Sequence, residues 1–219
     1  MIRIFESRLD AGRQLANALA AYRGRNPLVL AIPRGAVEMG AAVAEALGGE
    51  LDVVLVRKLR SPYNPELAVG AIDESGWTYV AEHAAGVGAD ATYLAKEKAV
   101  QLALLRKRRA QYTPARAPAD PAGRVAIVVD DGIATGASMI AALHAVRAKK
   151  PAILVCAIPV AAPDSAEQVR PYADEFVCLE TPLDFMAVGQ FYSSFQQVED
   201  DEVVKILARH AMKRPAAVQ

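Results

Sequence analysis

The sequence predicts a three-layer α/β fold in which a central, mostly parallel sheet is covered by helices on both faces. Three observations carry this. Val125-Ala126-Ile127-Val128-Val129 is an unbroken, mostly β-branched run, as expected of a strand buried on both faces. Similar runs at Leu28 to Ile32, Leu51 to Val56, Ala152 to Ile158 and Glu175 to Leu179 alternate with helix-forming stretches. Small-residue turns then follow two of these strands, at Pro33-Arg34-Gly35-Ala36 and from Gly132 to Ser138, the end of the strand where open α/β sheets bind ligands.

In chain order, Asp10 can cap a first helix running to about Tyr22, with Leu15, Ala18, Leu19 and Tyr22 facing inward as packing. After the Leu28 to Ile32 strand, a helix spans Val37 to Leu47. Arg57-Lys58-Leu59-Arg60 leaves the end of the Leu51 to Val56 strand. It is either a cation cluster for an anionic ligand or a solvated basic strand end. Ser61 to Gly76 holds Pro62, Asn64, Pro65, Gly70 and Gly76, matches no regular period and reads as a lid. Thr78 to Val80 is a short strand of that flap. Asp90 or Thr92 caps a long helix to Tyr112. Its Arg106-Lys107-Arg108-Arg109 run points in several directions, as a solvated or dimer-contact face does, and lacks the aromatics of a nucleic-acid platform.

Thr113 to Gly123 is a connector, Met139 to Lys149 a helix, and Ser165 to Val169 a short helix between two strands. Phe185, Phe191, Tyr192 and Phe195 then gather most of the aromatic content. Rings there either stack a planar base or close a small core or an oligomer contact. Asp200 to Met212 is a closing helix.

Lys plus Arg number 25 and Asp plus Glu number 25, so no global field recruits nucleic acid or a membrane. Cys156 and Cys178 sit in apolar strands, which favours free thiols in a reducing compartment, and no Cys/His metal spacing occurs. The charged N-terminal stretch has no apolar run long enough for a signal peptide or a membrane span. One domain over 1–219, cytoplasmic and forming a homo-oligomer, a dimer, is expected.

The chemistry concentrates after Val129. Asp130 and Asp131 stand at a strand's carboxyl end, where paired carboxylates can hold diol hydroxyls or a hydrated Mg²⁺. Ala134, Thr135, Gly136, Ala137 and Ser138 then open a helix, whose N-terminal amides, with the hydroxyls of Thr135 and Ser138, suit a phosphate. Gly136 permits close approach. No Asp-x-Asp spacing supports an aspartyl phosphatase.

Val128-Val129-Asp130-Asp131-Gly132-Ile133-Ala134-Thr135-Gly136-Ala137-Ser138 resembles the signature of the type I phosphoribosyltransferase family: an apolar strand, two acids, two variable positions and a small-Thr-Gly-x-Ser/Thr loop. The resemblance runs from about Leu28 to Leu179. It implies a Rossmann-like type I phosphoribosyltransferase fold with a flexible lid (about 59–90) and a small hood (about 1–25 and 180–219). The implied reaction transfers phosphoribosyl from 5-phosphoribosyl 1-pyrophosphate (PRPP) to a nucleobase or similar small nucleophile, with Mg²⁺.

By the same resemblance, Ala134 to Ser138 bind the 5′-phosphate, and Asp130 and Asp131 hold the ribose hydroxyls and, through water, the metal. Arg34, Gly35 and Lys58 bind pyrophosphate, the catalytic set being Asp130, Asp131 and Lys58. Family members often strain a peptide bond in the loop matching Pro33 to Ala36, so a cis bond is expected there; read from the residues alone, the less favoured alternative is an αL turn with an exposed Arg. Ala134 departs from purine-type members, which carry an acid there as proton acceptor. His83 and Glu74 lie in or near the lid and could do proton work, and neither is assigned. A PRPP sensor built on the same fold is the second reading, and a generic nucleotide-binding module the third.

Overall fold

The computed structural model describes residues 4–65, 67–114 and 117–212. The expected hood ends, lid tip and connector reach residues 1–3, 66, 115–116 and 213–219, which lie outside the described residues. The elements are α1 (Arg8–Ala18), β1 (Leu28–Ala31), α2 (Ala36–Leu47), β2 (Glu50–Val53), β3 (Val56–Arg60), β4 (Ala68–Asp73), β5 (Thr78–Val80), α3 (Ala91–Tyr112), β6 (Val125–Val129), α4 (Ala137–Arg147), β7 (Ile153–Val160), α5 (Pro163–Val169), β8 (Glu175–Glu180) and α6 (Asp200–Met212).

The main sheet has the order β2-β1-β6-β7-β8 and is parallel throughout. Its alternation explains the continuous apolar runs, because successive side chains go to opposite covered faces. Val125, Ile127 and Val129 of β6 join a core with α1, α2 and α6, while Ala126 and Val128 join the core under α4 and α5. β6 lies at the centre, so its carboxyl end opens between both helical layers. Cys156 and Cys178 are free thiols on β7 and β8. No helix among the described residues is long and apolar enough to cross a membrane.

Three local expectations change. Ser7 caps α1, its side chain accepting from the Asp10 N–H, because the helix begins one turn earlier than the Asp10 signal suggests. The apolar run from Leu51 to Val56 is two strands in different sheets, since the chain leaves the parallel sheet at Val54 and Leu55 while both stay buried. Lys58 is thus in mid-strand on β3, opposite Ala71, and not at a strand end.

The turn-rich stretch from Ser61 to Gly76 contains β4, the central strand of an antiparallel sheet β3-β4-β5. One face of that sheet packs on α4 through Ala71, Ala137 and Ala141, with Val56, Trp77 and Tyr79 alongside. Leu59, Ile72 and Leu105 of α3 belong to the other core. Gly70 hides the strand from a periodicity search, yet its site admits no side chain, because a Cβ would meet the carbonyl of Tyr79 across the ladder.

Arg109 also departs from the solvated face expected of its run. Arg106 and Lys107 are exposed, but Arg109 turns inward. Its Nε donates to Glu74 Oε2 at 2.8 Å and its Nη2 to the Val53 carbonyl at 2.9 Å, and its Nη1 lies 3.4 Å from Asp52 Oδ1. Asp52 is fully buried and also accepts the Ala119 N–H at 2.7 Å. Removing one partner of a buried ion pair strands the other charge. Arg109→Ala is therefore expected to destabilise by about 3–5 kcal/mol in urea unfolding, while Arg106→Ala stays within about 0.5 kcal/mol.

Candidate functional site

The turn from β6 into α4 is pinned along one flank by the segment that follows β7. Ile133 pairs with Ala161, donating its N–H to the Val160 carbonyl at 2.9 Å and accepting the Ala162 N–H at 2.9 Å. Ser165 Oγ donates to the Ala134 carbonyl at 2.7 Å. Two glycines make the turn possible. A Cβ on Gly132 would sit 2.6 Å from Val188 Cγ1, and Gly136 holds φ +77 with Val169 Cγ2 3.0 Å from its Cβ position.

Gly136 accepts the first intrahelical bond, from the Ile140 N–H at 2.9 Å, so the amides of the first turn have no partner four residues back. Ala134 and Thr135 are exposed and Ser138 half-buried. An anion placed here meets N–H groups, the positive end of a helix dipole and hydroxyls together.

A cleft of about 210 Å³ opens on this loop, walled by Lys58, Asp130, Ser138, Met139 and Val188 as well as the turn itself. Lys58, Ala134 and Thr135 also border a wider opening of about 690 Å³ between the loop, the antiparallel sheet and α5. The loop and Lys58 thus share one cleft.

The two acids divide. Asp130 faces the cleft, its Oδ1 accepting the Asp131 N–H at 2.9 Å. Asp131 turns toward Gly35, with Oδ2 accepting from Arg8 Nε at 2.8 Å and its carbonyl accepting from Tyr192 Oη at 2.6 Å. Burial first, and the neighbouring Asp131 charge second, push the Asp130 carboxyl well above the usual carboxylate range; the Asp131 N–H, Arg8 and Lys58 oppose them. Burial raises Asp131 as well, against the pull of Arg8.

The Pro33 to Ala36 loop carries a cis peptide bond between Pro33 and Arg34, and Gly35 has φ −54, so it is not an αL turn. Gly35 abuts Asp131, which brings the loop to the acid pair. The Arg34 side chain leaves it: Nη1 lies 3.6 Å from Glu199 Oε2 and 3.9 Å from Asp200 Oδ1, at the acidic start of α6. The pull of two carboxylates is the reason.

Glu74 is committed to Arg109, and His83 Nε2 is 3.2 Å from the Ala68 carbonyl at the wider opening. Phe191 and Tyr192 are buried. Tyr192 meets Phe5 and Phe195 with ring centroids 5.5 and 5.0 Å apart, and Phe185 meets Phe191 at 5.4 Å, so these rings mainly close a small core.

Sequence reasoning missed Arg8, Val188 and Ser165, and named Tyr192 only as one of the clustered rings. Each reaches the site from a distant stretch; Arg8 stands just before the helix read from Asp10, and only Tyr192, in the aromatic cluster, carried any signal. Among the described residues no group of three or more His, Cys, Asp or Glu could hold a metal. Asp130 and Asp131 supply two carboxylates, a partial set that fits Mg²⁺ only if water and ligand oxygens complete it.

Because its native carboxyl titrates higher than in the unfolded chain, Asp130 contributes stability at pH below the unfolded value of about 3.9, and loses it as pH rises through the raised native value. Asp130→Asn removes that penalty. Its stability at pH 8 is expected to exceed wild type by on the order of 1 kcal/mol, the gap closing toward pH 4 in thermal melts.

Comparison with known proteins bears on the whole chain. A family model described as the phosphoribosyl transferase domain matches residues 4–196. Two proteins of Mycobacterium tuberculosis, from strains CDC 1551 and H37Rv, both provisionally named as phosphoribosyl transferases, are 43% identical over 209 residues. That match takes in 95% of this chain and 47% of each of theirs, so the chain spans about half the length of the curated relatives it matches. The crystal structure of TT1426 from Thermus thermophilus is 45% identical with a TM-score of 0.80, over 95% of this chain and 99% of that one. With its strand, paired acids and hydroxyl-bearing loop inside a match that covers most of its length, the chain belongs to the type I phosphoribosyltransferase family.

Proposed function

We propose that the protein transfers a 5-phosphoribosyl group from PRPP to a small nucleophile, a nucleobase or similar acceptor, releasing pyrophosphate. The observation that carries this reading is the single cleft shared by Asp130, Lys58 and the Thr135 to Ser138 loop.

The first-turn amides, with the Thr135 and Ser138 hydroxyls, hold the 5′-phosphate, and rigid support from Ser165 and Val169 keeps them aimed. Asp130 accepts from a ribose hydroxyl, while Asp131 fixes the turn from behind. The bond from the anomeric carbon to pyrophosphate then breaks, and one to the acceptor forms, through an oxocarbenium-like state. Lys58 and the Pro33 to Gly35 loop face the departing charge. Asp130 and Asp131 would hold Mg²⁺ through water, and the ion would supply neutralisation of phosphate charge.

We read β3 to β5 as the lid (about 59–90) and the N-terminal helix with the stretch after β8 as the hood (about 1–25 and 180–219), parts of one domain. No acid stands at position 134, where the Ala134 carbonyl is bonded to Ser165, so the acceptor's proton leaves by another route. This leaves pyrimidine and unrecognised acceptors open beside purines, and a dimer remains part of the reading.

The test is pyrophosphate release from PRPP and Mg²⁺ across a panel of bases. Release with at least one base is expected. Tight PRPP binding with no release from any base makes the protein a sensor, and no binding at all ends the reading.

Two substitutions sharpen it. Lys58→Met is expected to lower kcat by about 10²- to 10³-fold, the scale of a lost charge-stabilising donor, with a smaller change in KM. Asp130→Asn with Asp131→Asn is expected to abolish PRPP binding in calorimetry while the circular dichroism spectrum is kept.

A further inference from the structure

Pyrophosphate leaves with several negative charges, and the loop nominated to receive it has its own cation, Arg34, turned 3.6 Å from Glu199. A different guanidinium occupies the side of the loop that faces the acid pair. Arg8, from the start of α1, has a side chain only 10% exposed. Its Nε donates to Asp131 Oδ2 at 2.8 Å, its Nη1 donates to the Gln196 carbonyl at 2.6 Å, and its face lies 3.8 Å from the Phe195 ring centroid.

The Nε–Nη2 side of the fork meets the loop. Nη2 is 3.1 Å and Nε 2.8 Å from the point a Gly35 Cβ would occupy. Ala11, Leu15 and Ala16 bury the same helix as an apolar face, and Arg8 is the charge on its buried side, paired with Asp131. A planar fork held at Nε by a carboxylate and at Nη1 by a carbonyl is pre-organised, and Nη2, which has no hydrogen-bond partner among the described residues, is the corner left for a phosphate oxygen.

We propose that Arg8 is a pyrophosphate-binding residue, its Nη2 edge supplying beside Gly35 the cation that Arg34 withholds while its Nε holds Asp131. The assignment rests on the phosphoribosyltransferase reading above. It gives the first helix a part in the site and couples the Phe195 to Gln196 segment to leaving-group binding, because the same guanidinium touches both.

The experiment compares ligands with and without the leaving group. Calorimetry with Mg²⁺ measures PRPP and ribose 5-phosphate on wild type, Arg8→Gln and Arg8→Lys, and inhibition by pyrophosphate is read in parallel. Arg8→Gln is expected to weaken PRPP and pyrophosphate by roughly 10- to 100-fold, with ribose 5-phosphate held within about twofold. Arg8→Lys keeps the charge but not the fork, and a loss of roughly three- to tenfold on PRPP alone is expected.

Equal losses on PRPP and ribose 5-phosphate, or no loss on PRPP, overturn the assignment and leave Arg8 a packing residue. Should Arg8→Gln not fold, the same comparison on Arg8→Lys decides. Failure of wild type to bind PRPP sinks the parent reading instead, and is told apart because it needs no variant.

Discussion

Two carboxylates side by side at the mouth of a buried strand impose the main constraint on this molecule. Asp130 and Asp131 repel each other where little water reaches them, and burial alone would drive both toward the neutral form. Charge survives only where cations and N–H groups are brought in. Arg8 arrives from the first helix, Lys58 from the antiparallel sheet and the Asp131 N–H from the turn itself, while the Tyr192 hydroxyl caps the Asp131 carbonyl from the far end of the chain. Three distant stretches converge because the acids demand it.

That convergence makes the two acids unequal. Asp131 is tied on two sides and acts as a strut between the turn, the Gly35 loop and α1. Asp130 keeps its open side toward the cleft. A neighbouring pair pushed into different environments can serve different roles, one holding geometry and the other meeting ligand.

The helix α4 links the parts around this pair. Its N-terminus forms the proposed phosphate loop, its Ala137 and Ala141 carry the antiparallel sheet, and its inner face packs under the parallel one. Trp77 stacks on His144 of α4 with ring centroids 3.4 Å apart, and Asp73 Oδ2 lies 4.0 Å from His144 Nδ1. The β3 to β5 sheet, and with it Lys58, is therefore packed directly against the helix that carries the loop.

Much of this was legible in the residues. Continuous β-branched runs give buried parallel strands because both faces of such a strand are covered, and Asp130-Asp131 followed by Ala134 to Ser138 marked the candidate site, since strand ends and helix starts are local features. Of the antiparallel sheet only β5 was legible, as Thr78 to Val80; β4 carries Gly70 and packs on both sides, so neither alternation nor a bulky run marks it. Nor was the direction of Arg34, of Arg109 or of Arg8 legible. A long cation reaches whichever carboxylate the fold brings near, and those partners stand dozens of residues away in the chain. Local backbone preference and burial, written in neighbouring residues, determined the strands, the helices and the loop. Which charge answers which was decided only by tertiary structure, because Coulomb attraction depends on distance in space.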